Sequence, residues 1–202
     1  MTPSGTTSRL RLAVLISGSG RTLANLLERS ATGSLAATVD LVLANRDHIG
    51  GLEIAAAAGV PTVVLPRAGQ PLAEWSNTVF DRVRTAGVDL VVMAGFLQLL
   101  EIPADFTGRV INIHPSLLPA FGGKGFYGDH VHRAVLERGC TVSGCTVHFV
   151  DNEYDHGRII LQQAVPVLPE DDHERLAVRV FKAECDILPA AINQLATGEL
   201  SS

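Results

Sequence analysis

Residues 10–30 read LRLAVLISGSGRTLANLLERS, and the hydrophobic pattern changes period inside them. The first eight, LRLAVLIS, make an almost unbroken apolar run of strand length, the mark of a strand covered on both faces. Gly18-Ser19-Gly20 then turns the chain, and a helical pattern follows from about Thr22 to Ser30. Strand, glycine turn and helix in this order open an α/β arrangement.

The alternation continues. TVDLVLAN (38–45), PTVVLP (61–66), DLVVMAG (89–95) and RVINI (109–113) read as strands. Helices are expected over GLEIAAAAG (51–59) and AEWSNTVFDRVRTAG (73–87), the second closed by Gly87. The pattern shifts after residue 128. A helix over GDHVHRAVLERG (128–139) leads into TVSGCTVHFV (141–150) and GRIILQQAVPVL (157–168), whose short connection predicts an antiparallel hairpin on the sheet edge. A last helix runs from about Asp172 to Leu195, opened by Glu170-Asp171-Asp172 and closed near Gly198. The predicted fold is α/β: a single-domain, open, mostly parallel Rossmann-like sheet with helices on both faces and a C-terminal antiparallel β-hairpin. Residues 1–9 are expected to form a disordered N-terminal tail, and 10–202 one domain.

Composition limits the function. Of 202 residues, 47% are hydrophobic and 18% charged, as in a packed globular chain. A net charge of -5 argues against a nucleic-acid binder, while leaving room for a local anion site. The longest apolar stretch, Val88–Leu100, is too short to span a bilayer, so no membrane role is expected. Three cysteines without a C-x-x-C pair fit a reduced, cytoplasmic setting.

Two glycine clusters stand out. In SGSGRTL, the Gly18 and Gly20 positions let backbone N–H groups approach an anion at a helix N-terminus, with Arg21 and Thr22 as further donors. Leu23 occupies the third glycine position of a dinucleotide fingerprint, so a monophosphate suits the loop better than a dinucleotide; a plain tight turn is the competing reading. FGGKGFYG (121–128) fails as a P-loop because Gly125 follows Lys124, and it reads as a surface loop.

In NIHPSLLP (112–119), Asn112 and His114 sit at the end of an apolar strand, where α/β sheets bind ligands. An amide and an imidazole at alternate positions share one face and can hold a developing oxyanion. A capping Asn beside a buried, satisfied His fits the residues equally. The hairpin connection DNEYD adds Asp151, Glu153 and Asp155, either a solvated acidic turn or a carboxylate for His114. No metal is expected: His130 and His132 point to opposed sides of a helix, and H-E-x-x-H is absent. A serine hydrolase is also disfavoured, because there is no G-x-S-x-G.

Taken together, VLISGSGRTL, NIHPSLLPAF and TVHFVDNEYDHGRIILQQAVPV resemble the phosphoribosylglycinamide formyltransferase family over about residues 11–198. The resemblance implies formyl transfer from 10-formyltetrahydrofolate, a co-substrate, to the amine of glycinamide ribonucleotide in purine biosynthesis, by a monomer or homodimer. It implies that Asn112 and His114 hold the formyl oxygen and that Asp155 keeps the imidazole charged. Gly20, Arg21 and Thr22 would take the phosphate and Glu184 the ribose. Phe96, Leu97, Gln98, Leu99 and Leu100 would bound the folate pocket together with Asn112 and with Asp151, Asn152, Glu153, Tyr154 and Asp155. Gln98 stands where relatives often carry Arg, and Leu72 where a basic residue is common. A formyltetrahydrofolate hydrolase, a tRNA-directed formyltransferase and a non-catalytic nucleotide or folate binder are the competing classes.

Overall fold

The computed structural model describes residues 9–198. In chain order the elements are β1 (Leu10–Ile16), α1 (Arg21–Ala31), β2 (Ala37–Ala44), α2 (Gly50–Ala57), β3 (Thr62–Val64), α3 (Leu72–Ala86), β4 (Leu90–Met93), a 3₁₀ turn (Ala104–Phe106), β5 (Val110–His114), α4 (Asp129–Glu137), β6 (Val142–Phe149), β7 (Ile159–Pro166) and α5 (His173–Thr197). One seven-stranded sheet results, in the order β3-β2-β1-β4-β5-β6-β7. The first five strands are mutually parallel; β6 pairs antiparallel to β5, and β7 antiparallel to β6. The α/β prediction, including the terminal hairpin, is met.

Both faces of the sheet are covered, which explains the continuous apolar strands. Leu12, Val14 and Ile16 of β1 point into one core, shared with α1, α4 and α5. The intervening Ala13 and Leu15 face a second core built on Trp75, Val79, Phe80 and Val83 of α3. Alternate residues of one strand therefore serve two layers. Two helix ends behave as expected: the Asp172 carboxylate accepts from Arg175 N at 2.8 Å, and Gly87 closes α3 in the left-handed region.

Some boundaries differ. The third strand covers only Thr62–Val64, because its Pro61 and Pro66 flanks lack an N–H for the ladder. The turn at Ala104–Phe106, which buries Phe106, was not anticipated. Most of the expected 1–9 tail lies outside the described residues; Arg9 itself donates to the carbonyls of Ser30 and Leu35.

Candidate active site

A cleft of about 310 Å³ opens above the C-terminal ends of β1, β4 and β5. Such a volume fits the lower range of small-molecule sites.

The β1–α1 turn makes one end. Gly20, at φ 77°, serves as the N-cap of α1, and a side chain there would run into the backbone of Gly51. The close approach of α1 and α2 thus demands glycine. Arg21 and Thr22 begin α1 and line the cleft, as does Glu184 from α5. Burial pushes the Glu184 carboxyl up to about 7, against the opposing pull of the Arg21 charge.

The segment after β4 forms a second wall. Phe96, Leu97, Gln98, Leu99 and Leu100 all border the cleft. Their backbone is braced from below: Leu97 N donates to the buried Ser17 hydroxyl at 3.0 Å, and Glu101 N to that of Ser76 at 3.0 Å. Phe96 stacks parallel to Trp75, with ring centroids 6.1 Å apart.

Asn112 and His114 stand on the cleft floor. His114 is buried, and its Nε2 lies 2.9 Å from the Phe121 carbonyl, which accepts only if that nitrogen carries a proton. Its Nδ1 faces Asp155 Oδ1 at 3.4 Å, an ion pair whenever the ring is protonated. That distance is too long for a tight bond, so Nδ1 stays available to a ligand atom or water. The other carboxylate oxygen of Asp155 accepts from Gly123 N at 2.9 Å.

Asp155 arrives by an indirect route. Phe149 pairs with Ile111, so the β6–β7 connection leaves from beside the start of β5 and must fold back to reach His114. Asp155 takes φ 52° to do so. At Gly157 a Cβ would stand 2.0 Å from the Phe149 carbonyl oxygen, so only glycine lets the returning chain press so close. Asp151 and Asn152 do not line the cleft as the folate-pocket expectation had it, because the fold-back uses their side chains. Asp151 pairs with His156 at 2.7 Å, and Asn152 Oδ1 accepts from Ile102 N at 2.8 Å. Glu153, Tyr154 and Asp155 do line it.

Sequence reasoning did not foresee the pairing of His148 with Asn112. This residue lies opposite Asn112 across the β5–β6 ladder. Its Nδ1–H donates to the Phe149 carbonyl at 2.7 Å, so its Nε2 is the acceptor for Asn112 Nδ2 at 3.2 Å. Burial lowers the His148 pKa, in keeping with this neutral form. The loop read as plain surface, 121–128, also contributes: Gly123, Gly125, Phe126 and Tyr127 form part of the cleft wall. Among the described residues no three His, Cys, Asp or Glu side chains converge as a metal site, and no helix is long and apolar enough to cross a membrane.

An amide, an imidazole and a carboxylate thus line one cleft with the Gly18–Thr22 turn, a set of groups with the chemistry to handle a polar carbonyl. Residues 10–192 match the family model described as formyl transferase, and the chain belongs to that family. Within it, the chain is similar to phosphoribosylglycinamide formyltransferases. That of Haemophilus influenzae is 35% identical over 94% of this chain and 89% of its own length. The chloroplastic enzyme of Arabidopsis thaliana is 44% identical over 87% of this chain, which spans 62% of that protein's length. The crystal structure of glycinamide ribonucleotide transformylase 1 from Symbiobacterium toebii superposes with a TM-score of 0.88 at 40% identity, covering 96% of this chain and 91% of that one.

Proposed function

We propose that the protein transfers the formyl group of 10-formyltetrahydrofolate to the amine of glycinamide ribonucleotide in purine biosynthesis. The observation that carries this reading is the meeting of Asn112, His114 and Asp155 on the floor of a cleft whose far end holds Arg21, Thr22 and Glu184. The phosphate goes to the Gly20–Thr22 turn and the ribose to Glu184, which directs the amine of the nucleotide toward the floor. The folate enters between Phe96–Leu100 and Glu153–Asp155. No metal is assigned a role, and the reaction suits a cytoplasmic protein acting as a monomer or homodimer.

The amine attacks the formyl carbon, forming a C–N bond and a tetrahedral oxyanion. Asn112, held by His148, and protonated His114 stabilise that charge, each worth about 3 kcal/mol by analogy with other oxyanion donors. Asp155, 3.4 Å from Nδ1 of the His114 ring, relays the amine proton, directly or through a water, as the bond to the folate nitrogen breaks. That nitrogen takes the proton, and tetrahydrofolate and the formylated nucleotide leave. Holding both reactants in one cleft supplies much of the remaining acceleration.

The test is spectrophotometric. The protein is mixed with 10-formyltetrahydrofolate in the presence and absence of glycinamide ribonucleotide, and folate deformylation is followed. Acceptor-dependent turnover is the expected result. Equal turnover without acceptor would instead identify a hydrolase, and no turnover in either mixture would identify a binding protein.

A further inference from the structure

We propose that Phe181 is a positioning residue for the nucleotide phosphate, its ring acting as a shelf that holds the Arg21 guanidinium at the mouth of the Gly20–Thr22 turn. The proposal rests on the acceptor assigned above and adds to it a residue outside the turn itself.

The guanidinium carbon of Arg21 lies 4.2 Å from the centroid of the Phe181 ring, close enough for the cation to sit on the aromatic face. Both residues border the cleft. Phe181 is on α5, one helical turn before Glu184, so one helix face presents the ring below the phosphate end and the carboxyl below the ribose end. Among the described residues Arg21 makes no ion pair with a carboxylate.

The choice of an aromatic partner has a chemical consequence. A carboxylate at position 181 would fix the guanidinium too, but would occupy its N–H groups and cancel its charge. A ring face attracts the cation through its quadrupole and takes none of the five donors. The guanidinium is thereby held in place with its hydrogen-bonding edge open for a phosphate fork. An exposed arginine without such a shelf would lose its rotamer freedom only when ligand binds, at the expense of affinity.

The experiment compares Phe181→Leu, which keeps apolar bulk, with Phe181→Tyr, which keeps the ring face. Phe181→Leu should raise KM for glycinamide ribonucleotide roughly three- to tenfold, as expected for losing a cation–π contact. Its kcat and its KM for 10-formyltetrahydrofolate should stay within about twofold, and Phe181→Tyr should restore the wild-type values. In an Arg21→Ala background the same Phe181→Leu change should have no further effect on KM. An unchanged KM for the nucleotide, an equal rise in both KM values, or a full Phe181→Leu effect in the absence of Arg21 would each overturn the proposal. Should the wild-type protein turn over no glycinamide ribonucleotide, the acceptor assignment falls by itself. Inorganic phosphate titrations then decide the shelf: weaker binding by Phe181→Leu upholds it, and unchanged binding overturns it.

Discussion

The Asn112 amide reaches across the β5–β6 ladder to His148, with 3.2 Å between Nδ2 and Nε2. The acceptor is a neutral imidazole whose other nitrogen is tied to its neighbour's carbonyl at 2.7 Å. One amide hydrogen is therefore fixed in the protein, and the second is aimed by the same contact. Replacing His148 with Ala should lower kcat about tenfold while KM for folate changes little, since the donor remains but loses its orientation. A kcat within twofold of wild type would show that Asn112 is held by other means.

Removing the proposed oxyanion donors themselves should be far more severe. Asn112→Ala and His114→Ala are each expected to reduce kcat by about 10²–10³, the range for an oxyanion donor. Folate binding, followed by fluorescence titration, should persist. Loss of binding in proportion to activity would mean that these groups act on the ground state and not on the developing charge.

Gly157→Ala tests the fold-back that delivers Asp155. The added methyl has no room beside the Phe149 carbonyl oxygen, 2.0 Å away, so the connection must shift and carry Asp155 from His114. A fall in kcat to near the Asp155→Asn level, with thermal stability reduced by only about 1–2 kcal/mol, is the expected outcome. Activity close to wild type would dissociate Asp155 from the chemistry.

Glu184 ties stability to pH. Its carboxyl titrates near 4.5 when unfolded and is pushed up to about 7 in the folded protein by burial. The folded state thus binds the proton more tightly, and this residue's stabilising contribution is full below pH 4.5 and is lost as pH rises through 7. Denaturant melts of wild type and Glu184→Gln should diverge between pH 4 and pH 8 by on the order of 2–3 kcal/mol, wild type losing ground. Parallel profiles would place the carboxyl in water.

His148 has the opposite sign. Burial depresses its pKa from 6.5, so the folded state resists protonation, and stability falls as pH drops below 6.5. Protonation of the folded ring, at a pH below that window, removes the acceptor for Asn112. Acid should therefore lower stability first and kcat only at lower pH, and His148→Gln should flatten the stability part of that profile.

Much of this was legible in the sequence because it depends on local pattern. The buried strands, the glycine turn and the Gly87 stop each follow from a few adjacent residues. Asn112 and His114 stood out as candidates from their place at a strand end, with a capping Asn beside a satisfied His fitting equally, and the family resemblance singled them out. The part of His148 was not legible, because its meeting with Asn112 depends on the β5–β6 register, a long-range property that no local pattern encodes. Phe181 was missed for a different reason: a single aromatic on a helix ordinarily means core, and its spacing of three from Glu184 acquires meaning only once α5 is set beside Arg21. The connection holding Asp151 and Asn152 read as a solvated acidic turn or a source of one carboxylate, and the resemblance made it a folate wall; in the structure Asp151 pairs with His156 inside it and Asn152 ties it to Ile102.

The adjacency of β5 and β6 reaches beyond the reaction. The exposed segment at Lys124–Gly125 separates a stretch carrying Arg21, Asn112 and His114 from one carrying His148, Asp155 and Glu184. A chain severed there would leave each fragment with an incomplete set of groups and an unpaired sheet edge. Return of the proposed formyl transfer would then report fragment complementation, making this chain a natural candidate for a split reporter of proximity.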